Sequence, residues 1–245
     1  MSTNLSKKVR IYKLCAGIRK AHGRDIHGGI AARFTGRRTP NLSHKIHCYV
    51  NPIWGVGFVY SIFKDASNTT FLAAVRNSTG AVYYARAIHG VGVGSLLSSI
   101  PIVNITNMWS AFIAPGCRII LRMLSRYSIF CNVTLKNRPG SKYARAAGTY
   151  CQMLEVYDDE NLAIVKLPTG LNKLLNLDSF VTLGRNSNLL NNQQVFGKAG
   201  YRVMSGHRPV VRGVARNPVD HPNGGRTKTN TPEKSLWGWV AKKNK

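Results

Sequence analysis

Asp220 and His221 set a carboxylate and an imidazole side by side, the residue types from which acid–base and nucleophilic sites are built. In known triads these groups converge from separate segments, and adjacency along the chain does not aim one at the other. Only nine Asp and Glu occur in 245 residues, which leaves little scope for paired-carboxylate chemistry. His44, His47 and Cys48, with Cys15, His22 and His27 upstream, supply zinc-ligand types, but no second CxxC or HxxxH pair completes a site at the usual spacing. The stretch GVGVG at Gly90–Gly94 has its third glycine one place early for a dinucleotide turn, and no helix follows it. No GxxxxGK[ST] phosphate loop occurs. The expectation is a protein without autonomous catalysis, resident metal or cofactor.

Two glycine-punctuated basic clusters remain. The first runs from Lys136 to Thr149 and carries Lys136, Arg138, Lys142 and Arg145 on a Pro/Gly turn. Its small alanines and glycine let backbone N–H groups approach a phosphate closely. The bland reading, a solvated charged loop, stays open for four cations alone. The second runs from Gly197 to Gly225 and carries Lys198, Arg202, Arg208, Arg212 and Arg216. Pro209, Gly213 and Pro218 forbid a regular helix through the last three arginines. Their guanidiniums therefore ride an irregular backbone suited to threading between phosphates.

Charge is distributed to match. The chain holds 35 Lys and Arg, a formal net charge of +26. Residues 1–50 hold 11 basic residues against one acid, Asp25, and residues 197–245 hold 11 against two, Asp220 and Glu233. A nearly ordinary centre is thus flanked by two cationic extensions, the asymmetry expected of nucleic-acid-binding arms. The five cysteines form no CxxC pair and read as reduced thiols. The N-terminal MSTNLSKKVRIYKL lacks the apolar stretch of a secretory signal and does not read as a transit peptide. Ala87 to Cys117 contains no charged residue, yet its glycines, prolines and asparagines break any long apolar block. It reads as a buried strand pair and a connector, not a membrane helix.

The elements that must position these clusters are strands. Apolar β-formers recur over 47–50, 55–63, 69–76, 81–88, 118–124, 128–136, 150–157, 162–167 and 180–183, with turn residues between them. Asn77-Ser-Thr-Gly80 is the clearest hairpin turn, Asp158–Asn161 a solvated turn, and Pro168-Thr-Gly170 closes another. Leu171–Leu177 is expected to form a helical turn. Short strands at this spacing indicate small barrels, two rather than one, with the join within Ile105–Pro115. The tail, with seven glycines and four prolines in 49 residues, is expected to be extended and ordered only against a partner.

The second cluster resembles the signature of the large-subunit ribosomal protein L-two family, in which GKAG precedes RPxVRGxAMNPVDHPHGG. Arg208-Pro209, Val211-Arg212-Gly213, Ala215, Asn217–Pro222 and Gly224-Gly225 stand in that order. The first cluster resembles the family's GxxxxARSAGT loop through Gly140 and Ala144–Thr149. Gly29–Arg33 and His44-Lys45 are similar, more weakly, to the N-terminal GRITVRH…GGGHK segment, and Leu236-Trp237-Gly238 to the PWG near the family's C-terminus. The departures are Asn223 for the second histidine of DHPHGG, Arg216 for the methionine, the missing GEGR continuation, and Arg37–Ser43 in place of the triple glycine.

The resemblance implies a mostly β chain: a basic arm over 1–27, an oligonucleotide-binding-fold barrel over 28–108, an SH3-like barrel over 109–196 and an extended basic tail over 197–245. It implies a structural constituent of the large ribosomal subunit near the peptidyl transferase centre, supporting subunit association, transfer RNA placement and translation. The implied partners are large-subunit rRNA, other ribosomal proteins and small-subunit rRNA across the interface, with no membrane. The rRNA contacts fall on Arg33, Arg37, Arg38, His44, Lys45, Arg138, Lys142, Arg145, Lys198, Arg202, Arg208, Arg212, Arg216, Asn217, Asp220, His221, Gly224, Gly225 and Arg226, with His221 an organising rather than a catalytic residue. The style of divergence, rich in Asn, Ile, Tyr and Phe, points to a mitochondrial ribosome, with plastid or bacterial ribosomes as alternatives. The competing reading is a free-standing single-strand binder or RNA chaperone, stacking bases on Tyr49, Phe58 or Tyr60.

Overall fold

The computed structural model describes residue 5 and residues 11–17, 22–36, 42–46, 55–99, 114–135, 140–225 and 232–240. The expected strand at 47–50, with Tyr49, and most of the Ile105–Pro115 join lie outside them, as do Arg37, Arg38, Arg138 and Arg226. The chain divides into two compact units, residues 1–19 with 40–195 and residues 20–39 with 196–245.

The first unit is β. Strands β1 (Cys15–Gly17) and β2 (Leu42–His44) pair antiparallel in a small sheet of their own. The other strands are β3 (Gly55–Lys64), β4 (Phe71–Asn77), β5 (Val82–Arg86), β6 (Leu96–Ser99), β7 (Arg118–Ile120), β8 (Ile129–Thr134), β9 (Cys151–Tyr157), β10 (Leu162–Lys166), β11 (Asn172–Asn176) and β12 (Phe180–Leu183). They follow the order β11-β10-β9-β8-β12-β7-β6-β3-β4-β5. All neighbours are antiparallel except β6 and β7, whose parallel bridge Ser99↔Arg118 links two meanders. The Asn77–Gly80 hairpin forms as its residues require: the Asn77 N–H donates to the Ala81 carbonyl at 2.8 Å and the Gly80 N–H to the Asn77 carbonyl at 2.9 Å.

Leu171–Leu177 is a correction. Most of it is strand β11, paired with β10 from Asn172↔Lys166 to Asn176↔Leu162. The Pro168–Gly170 turn returns the chain in register with an edge strand, and pairing satisfies a row of backbone groups that one helical turn would leave open. The Arg118–Leu124 strand is also shorter than expected. It ends at Ile120 and passes into a 3-10 turn over Leu121–Met123.

Period-two alternation gives β4 two buried faces. Ala73 and Val75 enter the main core with Val59, Ile62, Ile119, Phe130, Val133, Met153, Val165 and Val181. Leu72 and Ala74 turn the other way, to Phe63 and Tyr84, and are covered by Ile11, Leu14, Cys15 and Ile46. A bulge in β3 between Val59 and Ser61 shifts the register, so that Val59 and Ile62, three residues apart, serve one cluster while Phe63 serves the other. The basic arm is therefore more than a charged extension, because its Ile11, Leu14 and Cys15, with Ile46 from beyond it, close the second face of the sheet.

Cys15, Cys117, Cys131 and Cys151 are thiols. Burial pushes the Cys151 thiol up to about 12. It should resist iodoacetamide at pH 8 in the native protein and react once denatured, because the thiolate is the nucleophile. Mass spectrometry of alkylated peptides reads this directly, and labelling of native Cys151 at the rate of an exposed thiol would contradict it. Among the described residues no helix is long and apolar enough to cross a membrane.

Candidate nucleic-acid interface

The first cluster is held from beneath by asparagines. Asn186, fully buried, donates from Nδ2 to the carbonyls of Ala144 at 2.7 Å and Ala146 at 3.2 Å. Its Oδ1 accepts from Asn132 Nδ2 at 3.2 Å, while the Asn132 N–H donates to the Ala144 carbonyl at 3.1 Å. Ala144 is thereby fixed with φ of 48°, a left-handed conformation uncommon for a residue with a Cβ. The Thr149 hydroxyl donates to the Ala146 carbonyl at 2.7 Å, and the Ala147 N–H to Thr69 Oγ1 at 3.0 Å. Lys142 and Arg145 project outward from this frame, both exposed. Neither Asn132 nor Asn186 carries a sequence signal, since the groups they satisfy come from distant segments.

Further cations gather beside the loop. Arg185 Nε donates to the Gly148 carbonyl at 2.6 Å, and its guanidinium lies 5.2 Å from the Tyr150 ring centroid. Lys142 and Lys173 place their ammonium groups 5.4 and 5.5 Å from the Tyr143 ring centroid. The hydrogen bond from Lys173, against the opposing effect of burial and with help from Lys142, holds the Tyr143 phenol below its ordinary range. An open cleft of about 270 Å³ lies between Gly148–Tyr150 and Lys166–Gly170. Lys173, Arg185 and Lys166 are thus additional cations beside the loop and cleft that sequence reasoning missed.

The second cluster lies in the other unit. Lys198 and Arg202 are exposed at helix α1 (Ala199–Met204), a short segment with no buried residue. Arg208, Arg212 and Arg216 are exposed, and only a 3-10 turn over Gly213–Ala215 interrupts their irregular backbone. Residues 217–225 then close on themselves. The N–H groups of Asp220 and His221 donate to the Asn217 carbonyl at 3.0 and 3.2 Å, and the Gly225 N–H to the Arg216 carbonyl at 2.9 Å. Within the tail expected to be extended, residues 216–225 thus form a closed turn.

Its glycines have a steric cause. A Cβ on Gly224 would sit 2.2 Å from the Asn217 oxygen and 2.7 Å from the Arg216 oxygen, both backbone atoms. A Cβ on Gly213 would lie 2.6 Å from the His221 ring. His221 is half-buried, and its Nδ1 accepts the Asn223 N–H at 3.1 Å. That bond leaves the ring proton on Nε2. Nδ1 is thus engaged by backbone, whereas in a triad the orienting carboxylate would hold it. Asp220 is exposed.

The N-terminal candidates separate. In the tail's unit, the Gly36 N–H donates to the Gly206 carbonyl at 3.0 Å and the Arg208 N–H to the Phe34 carbonyl at 2.8 Å. Exposed Arg33 therefore stands close in sequence to a segment bonded beside Arg208. In the other unit, Lys45 is exposed but His44 is not. The His44 side chain is wholly buried, with Nδ1 2.9 Å from Asp65 Oδ1. Its ring lies 5.0 Å from Tyr84 and 5.5 Å from Phe63. Strand alternation turns it into the second cluster, so it presents no ring to a nucleic acid. Among the described residues no three His, Cys, Asp or Glu side chains gather as metal ligands. Phe58 is exposed, whereas Tyr60 packs against the cluster of Phe63.

Fold and loops together describe a strongly basic, mostly β protein that presents braced cationic loops. The family described as Ribosomal Proteins L2, C-terminal domain, matches residues 114–238. The chain is similar to the large ribosomal subunit protein uL2m of Paramecium tetraurelia, 37% identical over 169 residues that cover 67% of this chain and 65% of that protein. It is similar also to the large ribosomal subunit proteins uL2 of Brucella ovis and Brucella abortus, each 33% identical over 246 residues, covering 99% of this chain and 85% of theirs. The chain belongs to the ribosomal protein L2 family.

Proposed function

We propose that this chain is a structural, non-catalytic constituent of the large ribosomal subunit, binding rRNA near the peptidyl transferase centre. In this role it supports subunit association, transfer RNA placement and translation. The observation that carries the reading is the self-closed Arg212–Gly225 loop, which packs Gly224 against its own backbone and Gly213 and Gly225 against the His221 and Pro218 rings, and leaves its arginines in solvent. Such a loop suits phosphate contact, which positions a protein on RNA without reading bases. The contact set is Arg33, Lys45, Lys142, Arg145, Lys198, Arg202, Arg208, Arg212 and Arg216, with Arg37, Arg38, Arg138 and Arg226 from outside the described residues. Asn217, Asp220, His221, Gly224 and Gly225 shape the loop that carries them.

In the same reading residues 28–108 form the oligonucleotide-binding barrel and 109–196 the SH3-like barrel, with 1–27 and 197–245 as rRNA-facing extensions. Bonding of residues 34–36 to 206–208 supports treating part of the N-terminal segment and the tail as one surface. The partners are large-subunit rRNA, neighbouring ribosomal proteins and, across the interface, small-subunit rRNA. The Paramecium relative and the style of divergence favour a mitochondrial ribosome.

Affinity for a transcript of its own large-subunit rRNA should fall linearly on a log–log plot against salt, with a slope on the order of minus 6 or steeper if about eight phosphates are neutralised. Deleting residues 197–245 should flatten that slope. Salt-indifferent binding, or equal binding by the shortened chain, would overturn the assignment.

A further inference from the structure

Past the glycine loop the described residues 232–240 form a further feature. Lys234 and Val240 form an antiparallel bridge, closed by Ser235 N–H to the Trp239 carbonyl at 2.6 Å and Gly238 N–H to the Ser235 carbonyl at 2.9 Å. This small hairpin holds its apolar side chains outward: Trp237 is 68% and Trp239 76% exposed. Indoles cost free energy in water, and two of them in one tight turn call for an explanation.

Asn223 explains how the hairpin is held. It is buried, and its side-chain amide makes both bonds of a backbone-like pair with one residue: Oδ1 accepts the Lys234 N–H at 2.8 Å and Nδ2 donates to the Lys234 carbonyl at 2.7 Å. An amide presents acceptor and donor on the same side, as an extended residue presents its C=O and N–H. An imidazole, whose two nitrogens diverge, cannot duplicate that pair. The residue that departs from the DHPHGG pattern is therefore the clamp tying the hairpin to the cationic loop.

We propose that the Lys234–Val240 hairpin is a base-stacking element, whose indoles Trp237 and Trp239 take unpaired nucleobases of the RNA that the neighbouring arginines hold by its phosphates. The proposal rests on the rRNA-binding reading and names the chemistry of one part of that surface. Charge favours RNA as the occupant, because the tail carries 11 basic residues against two acidic ones. Area points the same way. Two aromatic side chains at about 150–250 Å² each fall well short of the roughly 800 Å² per partner of a stable protein interface. Indole–base stacking needs no more area than they supply, and it tolerates any base.

The test uses the full chain and two variants, W237A/W239A and W237F/W239F, with its own large-subunit rRNA transcript as probe. The double alanine variant should bind on the order of ten- to a hundredfold more weakly with an unchanged salt slope, since stacking is lost and no phosphate contact is. The phenylalanine variant should recover part of the loss. An (A)12 strand should quench indole fluorescence more than a fully paired duplex of the same length. If the wild-type chain fails to bind the transcript, the rRNA reading falls and this proposal with it. If the wild type binds steeply with salt and the alanine variant binds equally well, stacking alone is wrong. If the variant keeps its affinity for RNA but drops out of large-subunit particles, the indoles dock on a protein, and the proposal is overturned.

Discussion

Asp65→Ala is expected to destabilise the protein by about 2–3 kcal/mol, the cost of removing a buried, hydrogen-bonded carboxylate and leaving His44 Nδ1 without its partner. Asp65 and His44 are both buried, and Nδ1 to Oδ1 is 2.9 Å. The carboxylate also accepts from the Ser67 hydroxyl and, at 2.5 Å, from Asn68 Nδ2. Burial works against its charge, but the hydrogen bonds from Ser67 and Asn68, the imidazole of His44 and the Ala66 backbone outweigh it and hold the carboxyl below its usual range. A depressed folded pKa contributes stability that is present above the unfolded value of about 3.9 and is lost as pH falls through the folded one. The wild type should therefore lose stability below about pH 4, and Asp65→Ala should flatten that acid limb. At neutral pH the melting temperature should fall by on the order of 10 °C. The effect should spread to the arm, because Tyr84, whose hydroxyl accepts the Ile11 N–H at 2.7 Å, packs edge-on against the His44 ring. A melting temperature within a degree of wild type would show that the pair does not hold the arm.

Why the sequence placed His44 among the cations is instructive. It stands beside Lys45 in a basic stretch, and composition alone sees only that company. Alternation along β2 separates the neighbours: His44 turns inward and exposed Lys45 does not. The strands themselves were legible because period-two apolar patterning and turn residues are local signals, and so β3, β4, β5, β9 and β10 fall close to their expected bounds. Leu171–Leu177 misled because a leucine-rich run without alternation fits a helical turn equally well, and only the edge of β10 decides. The two cationic clusters were legible through charge and glycine. Their supports were not. Asn188 Nδ2 reaches the Thr69 carbonyl across 119 residues, and Asn186 reaches Ala144 across 42. A buried asparagine declares itself only when the carbonyls it must satisfy are in place. Asn223 could be seen as a departure from a pattern, but its bond to Lys234, 11 residues on, could not.

Gly224→Ala is expected to cost the tail its RNA affinity while leaving the sheet unit intact. The constraint at Gly224 is space alone. Its added Cβ would fall 2.2 Å from the Asn217 oxygen and 2.3 Å from the Asn217 carbonyl carbon, atoms that no side-chain rotation can move. The loop must open, and the Asn217 carbonyl that accepts from Asp220 and His221 moves with it. His221 then loses its seat against Gly213, and Arg216, whose carbonyl accepts the Gly225 N–H, loses its orientation. Misplacing one or two charge-assisted phosphate contacts, each about 1.5 kcal/mol or more, lowers affinity on the order of ten- to a hundredfold. Gly200→Ala is the matched control: it adds a methyl group to the same tail in α1, where nothing lies within 4 Å of its Cβ, and it should bind as wild type does. Filter binding to the large-subunit rRNA transcript separates the two variants. Thermal unfolding of both should coincide with wild type in the transition of the unit formed by residues 1–19 and 40–195, which does not contain the loop. Equal affinity of Gly224→Ala and wild type would mean that the closed loop plays no part in holding RNA. Loss of affinity together with loss of that main transition would mean that the glycine serves folding at large. Weakened binding with an unchanged main transition is the outcome the loop geometry requires, because the close backbone contacts at Gly224 all lie within residues 216 and 217.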